Sequence, residues 1–200
     1  MKRIDFDKGY IIVDAIDPSS EFSDSLTEAD REFLATLNSP SRRAQWSTWR
    51  RIVRAELGPD AVLRYNGLGA PVLVAPAKGM AYISVSHTAT HAAVMFSRSR
   101  CGVDIETPDR DFTKVASRYI AHEERPLASL LGELFEPIIW CAKEALYKFG
   151  GHSGVDFTQD MIIVAADPVG QTLSAELFSV ATPPVRYIAS SAEIMCYVTE

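Results

Sequence analysis

The sequence is poor in cysteine. Its three cysteines, Cys101, Cys141 and Cys196, are widely separated, odd in number and without Cys-x-x-Cys or any comparable ligand spacing. That pattern argues against a disulfide framework and a zinc site, and it fits a reducing cytoplasm. Long apolar runs are missing too. The longest stretch without a formal charge, 79–97, carries Ser84, Ser86, His87, Thr88, Thr90, His91 and Ser97, too polar to span a bilayer. The N-terminus has Asp5 and Asp7 where a signal peptide needs an apolar run. An excess of positive charge is also lacking: 20 Lys and Arg stand against 26 Asp and Glu, a net charge of −6. A general affinity for nucleic acid backbone is thereby excluded. The expectation is a soluble cytoplasmic protein with no membrane or nucleic acid partner.

What is present suffices for a large core, since 47% of residues are hydrophobic. Strands rich in β-branched residues are expected at 10–16, 63–65, 71–74, 82–86, 91–96, 102–106, 161–165, 173–178, 185–189 and 194–198. Ser25-Leu26-Thr27-Glu28 has capping-box spacing for a first helix. A second runs from about Ser41 to Leu57, closed by Gly58-Pro59, and an amphipathic helix is expected over 112–120. A further helix carries Trp140 to Phe149 and stops at Gly150-Gly151. Each half runs roughly helix then strands. The expected fold class is therefore α+β, with an antiparallel meander in the second half and two similar subdomains, 1–97 and 98–200.

Two stretches carry chemistry. In Gly102-Val103-Asp104-Ile105-Glu106, a period of two puts Asp104 and Glu106 on one face, about 7 Å apart. Adjacent carboxylates repel unless a cation or several donors lie between them, although a solvated strand face is the plainer reading. In the helix, Ile138, Ala142, Ala145, Leu146 and Phe149 form a core stripe, while Trp140, Lys143, Glu144, Tyr147 and Lys148 share the opposite face. Glu144 and Lys148 alone read as a surface ion pair. Added to Asp104 and Glu106, however, Glu144 completes a three-carboxylate set suited to Mg²⁺. Upstream, Ser86 and His87 sit where a strand opens into a loop. Between 42 and 54 lie five arginines and no acidic residue, a possible anion site.

The order Ser84-x-Ser86-His87-Thr88, Asp104-x-Glu106, Trp140-x-x-Lys143-Glu144-Ala145-x-x-Lys148 resembles the 4'-phosphopantetheinyl transferase superfamily, in its single-chain Sfp-like branch. The resemblance covers most of the chain. It implies two subdomains related by a pseudo-twofold axis, each a small mainly antiparallel sheet packed with helices, with coenzyme A in the cleft between them and the whole acting as a monomer. It further implies a holo-[acyl-carrier-protein] synthase that moves phosphopantetheine from coenzyme A to a serine of an acyl or peptidyl carrier protein, releasing 3',5'-ADP, as fatty acid or polyketide synthesis requires. By motif, Asp104, Glu106 and Glu144 hold Mg²⁺ (or Mn²⁺). Asp104, Glu144 and Lys148 act in catalysis, with Glu144 as base directly or through a metal-bound water. Arg42, Arg43, Arg50, Ser86, His87, Lys143 and Lys148 contact coenzyme A. One departure is Gly69-Ala70-Pro71, where the family commonly has Gly-Lys-Pro; one of Arg42, Arg43, Arg50 or Arg51 is expected to compensate, or binding weakens. The rival readings are a non-catalytic relative that binds coenzyme A or a carrier, and a metal-dependent phosphohydrolase.

Overall fold

The computed structural model describes residues 1–18 and 26–200. The chain divides into two compact units, Met1–Ser99 and Arg100–Glu200. Both combine antiparallel strands with helices, so the fold class is α+β. Among the described residues, no helix is long and apolar enough to cross a membrane.

The first unit is built on β1 (Lys2–Phe6), β2 (Gly9–Ala15), β5 (Tyr82–His87) and β6 (His91–Ser97), ordered β1-β2-β6-β5 and antiparallel throughout. Strand β1 was not foreseen. Its sequence, KRIDF, has almost no buried residue because it is an edge strand pairing with β2 alone, and an edge strand can remain polar. Helix α1 (Glu28–Thr36) begins later than the Ser25 spacing suggested; Ser25 itself lies outside the described residues. The cap is Thr27, whose hydroxyl accepts from the Asp30 amide at 3.2 Å while the Asp30 carboxylate accepts from the Thr27 amide at 3.1 Å. Helix α2 (Pro40–Leu57) starts on a Ser39 cap with proline in its first turn. It lays Trp46, Trp49, Ile52, Val53 and Leu57 against Ile12, Val94 and Phe96 of the sheet. Strands β3 (Leu63–Tyr65) and β4 (Pro71–Leu73) form a separate hairpin, its turn held by the Asn66 side chain accepting from the amides of Leu68 and Ala70, each at 3.0 Å.

The second unit has β7 (Cys101–Glu106), β8 (Met161–Asp167), β9 (Thr172–Leu177), β10 (Val180–Ala181), β11 (Val185–Ala189) and β12 (Ile194–Thr199). Their order is β10-β9-β11-β12-β7, with β8 on β9. Residues 113–118 form a 3-10 helix instead of the expected α-helix, and another 3-10 turn spans 122–127. Tyr119 and Ile120 are nevertheless buried as expected. After the short α3 (Ala128–Leu131) comes α4 (Phe135–Gly150). Its apolar stripe, from Ile138 through Ala142, Ala145 and Leu146 to Phe149, joins Met161, Ile163, Leu173, Val185 and Cys196 in one core. Gly151 ends the helix in the left-handed conformation at φ 65°, its amide donating to Tyr147 O at 3.0 Å.

Candidate functional site

Strand β7 and helix α4 build the candidate site within the second unit. Gly102, Asp104 and Glu106 alternate onto the face of β7 turned toward α4, and the first of them has to be glycine. A Cβ there would stand 2.1 Å from Ala145 O and 2.7 Å from Phe149 N, both backbone atoms that cannot swing aside. This close approach brings the strand's carboxylates to one turn of the helix. Beneath them, the Cys141 thiol lies 3.4 Å from Asp104 O.

Lys148 donates to Asp104 Oδ1 at 2.7 Å and to Val103 O at 3.0 Å. Glu106 Oε1 receives two donors, the Trp140 indole N–H and Arg110 Nη1, each at 2.7 Å. The Trp140 ring is held edge-on by Tyr119, at 5.1 Å between centroids, and flanked by Phe157 at 5.9 Å. Glu144 is half-buried on the same turn as Lys148. Burial, and then the charge of Asp104, push its carboxyl above the ordinary range, while Lys148 opposes the rise. Glu106 is raised for the same two reasons, against Arg110 and Trp140. The carboxylates thus share one electrostatic neighbourhood. It holds three negative groups, Asp104, Glu106 and Glu144, and two positive ones, Lys148 and Arg110.

An all-carboxylate donor set fits a hard divalent cation such as Mg²⁺, which takes oxygen ligands and keeps several waters. As the side chains stand, no three His, Cys, Asp or Glu among the described residues form a group able to hold a metal ion. Oδ1 of Asp104 is engaged by Lys148 and Oε1 of Glu106 by Arg110 and Trp140.

Lys143 is not part of this group, contrary to the sequence reading that put it on the ligand face. Its side chain is fully buried, with Nζ at 2.7 Å from Glu124, 2.7 Å from Tyr119 O and 2.6 Å from Phe157 O. Glu124 is itself completed by the amides of Ala121 and Ile163, each at 2.7 Å. Lys143 therefore ties α4 to the 119–124 segment and to the loop at 157. Burial lowers its pKa, with Glu124 opposing.

The first unit has a cavity of about 390 Å³. Phe33, Trp46 and Tyr65 line it as stacked rings, Phe33 lying 5.0 Å from Trp46 and 5.6 Å from Tyr65, and Trp46 Nε1 donates to the Tyr65 hydroxyl at 2.7 Å. Of the expected ligand residues, Arg42 and His87 line it and Arg43 does not; Ser86 is buried in β5 beside His87. Arg50 is also misplaced by the sequence reading. It is buried between the Trp46 and Trp49 rings and ion-pairs with the buried Asp30, its Nε donating to Oδ1 at 2.9 Å. Arg54 shares that carboxylate, and Arg51 pairs with Asp14 at 2.7 Å. Burial alone would raise the Asp30 carboxyl, but the Arg50 bond and the Thr27 amide hold it below the ordinary range. Three residues of importance escaped the sequence reading. Tyr65 gave no signal in a short hairpin strand. Glu124 stood in a charged turn, and Arg110 was marked only by lying four residues after Glu106.

A carboxylate cluster beside a lysine is equipment for chemistry on phosphates, where positioning and charge neutralisation do most of the work. Residues 100–183 match the family model of the 4'-phosphopantetheinyl transferase superfamily. The match contains Asp104, Glu106, Trp140, Glu144 and Lys148, and it supports a transferase of phosphopantetheine. No curated protein matches the sequence.

Proposed function

We propose that the protein is a 4'-phosphopantetheinyl transferase of the Sfp-like branch. In this reading it moves phosphopantetheine from coenzyme A to a serine of an acyl or peptidyl carrier protein, with Mg²⁺ and release of 3',5'-ADP. The observation that carries the proposal is the convergence of Asp104, Glu106, Glu144 and Lys148 inside the stretch that matches the superfamily.

In the reaction, the serine oxygen attacks the β-phosphorus of coenzyme A, the bond from that phosphorus to the bridging oxygen breaks, and 3',5'-ADP leaves. Asp104, Glu106 and Glu144 would hold the Mg²⁺, which would supply positive charge against the pyrophosphate. Lys148, 24% exposed at its side chain, offers its amine to a phosphate oxygen. Glu144, half-buried one turn from Lys148, takes the serine proton, directly or through a water. Arg42, Ser86 and His87 bind the phosphorylated nucleotide end. Arg50 and Arg51 are committed to Asp30 and Asp14; of Arg42 and Arg43, Arg42 is the one that lines the cavity, and it supplies the charge that Ala70 lacks.

The test is incubation of a purified apo carrier protein with coenzyme A, Mg²⁺ and the enzyme, followed by intact-protein mass spectrometry. A gain of one phosphopantetheine per carrier is expected. Coenzyme A binding without that gain points to a non-catalytic relative and defeats the proposal.

A further inference from the structure

We infer that Arg110 is a built-in occupant of the cation site: it neutralises Glu106 while no cation is bound, a divalent cation displaces it, and it thereby sets how tightly the cation is held. The inference rests on the reading of Asp104, Glu106 and Glu144 as the cation ligands, and adds a residue which that reading does not contain.

Three observations carry it. The first is position. Arg110 Nη1 lies 2.7 Å from Glu106 Oε1, so its charge stands against a carboxylate read as a cation ligand, and the pair is lopsided in exposure, 46% for the Arg110 side chain and 15% for Glu106. The arginine comes to the carboxylate from the solvent side and can leave that way. The second is an alternative resting place. The guanidinium lies 5.1 Å from the centroid of Phe112 and 5.3 Å from that of Trp140, so it keeps two aromatic contacts after giving up the carboxylate. The third is redundancy. Trp140 also donates to Glu106 Oε1, so Glu106 stays oriented when Arg110 withdraws. An arginine needed only to orient Glu106 would duplicate the indole. What the indole cannot supply is a positive charge, and that is the property which competes with a cation.

The neighbouring charges are consistent with this role. The facing groups are Asp104, Glu106 and Glu144 on one side and Lys148 on the other; Lys148 is engaged with Asp104 and leaves Glu106 to Arg110. A divalent cation entering beside Glu106 meets an arginine of the same sign within a few ångströms. Removing that single charge from a partly solvated site should tighten cation binding on the order of 3- to 10-fold.

The experiment is calorimetric titration of the metal-stripped protein with Mn²⁺, with far-UV circular dichroism as the check on folding. Arg110→Gln is expected to bind Mn²⁺ about 3- to 10-fold more tightly than wild type, and Lys114→Gln, which removes an exposed charge paired with Asp111, to leave affinity unchanged. A folded Arg110→Gln protein with unchanged or weaker affinity overturns the inference, as does equal tightening by Lys114→Gln. Glu144→Gln separates the two levels. If wild type binds Mn²⁺ and Glu144→Gln does not, the cation site stands and the behaviour of Arg110→Gln judges the inference alone. If wild type binds no Mn²⁺, both fall together.

Discussion

Gly102→Ala tests how the site is assembled. The added methyl would meet Ala145 O at 2.1 Å and Phe149 N at 2.7 Å, so β7 and α4 must separate by more than ~1 Å to reach ordinary contact. Neither obstacle is a flexible side chain. Overpacking of this kind costs about 1–3 kcal/mol, equivalent to roughly 4–24 °C in the unfolding temperature of the unit concerned. The same shift carries Asp104 and Glu106 away from Glu144 and Lys148, and a misplacement of ~1 Å can cost on the order of 10²-fold in rate. Differential scanning calorimetry reads the first effect and carrier modification under single-turnover conditions the second. The activity loss should greatly exceed what the unfolded fraction explains at the assay temperature. A variant with wild-type stability and rate would refute the claim that this contact sets the geometry of the site.

Lys143→Met should destabilise the second unit by about 3–5 kcal/mol, because Glu124 is left as a buried charge without its partner. Urea denaturation measures this, and Lys143→Met combined with Glu124→Gln should recover part of the loss. Glu144→Gln should act in the opposite direction. The folded pKa of Glu144 lies above its ordinary 4.5, so its contribution to stability is fully present below that value and is lost as pH rises through the folded pKa. In chelator, the variant should therefore melt higher than wild type at pH 7, with the gap closing toward pH 4; a lower melting temperature at pH 7 would contradict the repulsive environment assigned to this carboxylate.

Much of this arrangement is legible in the sequence because it follows local periodicity. The alternation of Val103 and Ile105 with Asp104 and Glu106 gave β7 and its acidic face, and the apolar spacing from Ile138 to Phe149, ending at Gly150-Gly151, gave α4. Helical spacing, however, fixes direction from an axis and says nothing of what lies there. Lys143 and Glu144 are adjacent on one polar face, yet Lys143 points beneath the 119–124 segment while Glu144 points to β7. The same holds for Arg50, whose partner Asp30 is 20 residues away on another helix. Strand β1 was hidden for another reason: an edge strand buries too few residues to impose a pattern.

If Asp104, Glu106, Glu144 and Lys148 act together to transfer phosphopantetheine, loss of either Glu144 or Asp104 must stop the transfer. The most direct measurement is intact-mass analysis of an apo carrier protein incubated with coenzyme A, Mg²⁺ and either the wild-type enzyme or its Glu144→Gln or Asp104→Ala variant. A single phosphopantetheine on the serine is expected with wild type, and none with either variant, both being folded by circular dichroism. Full modification by both variants would contradict it.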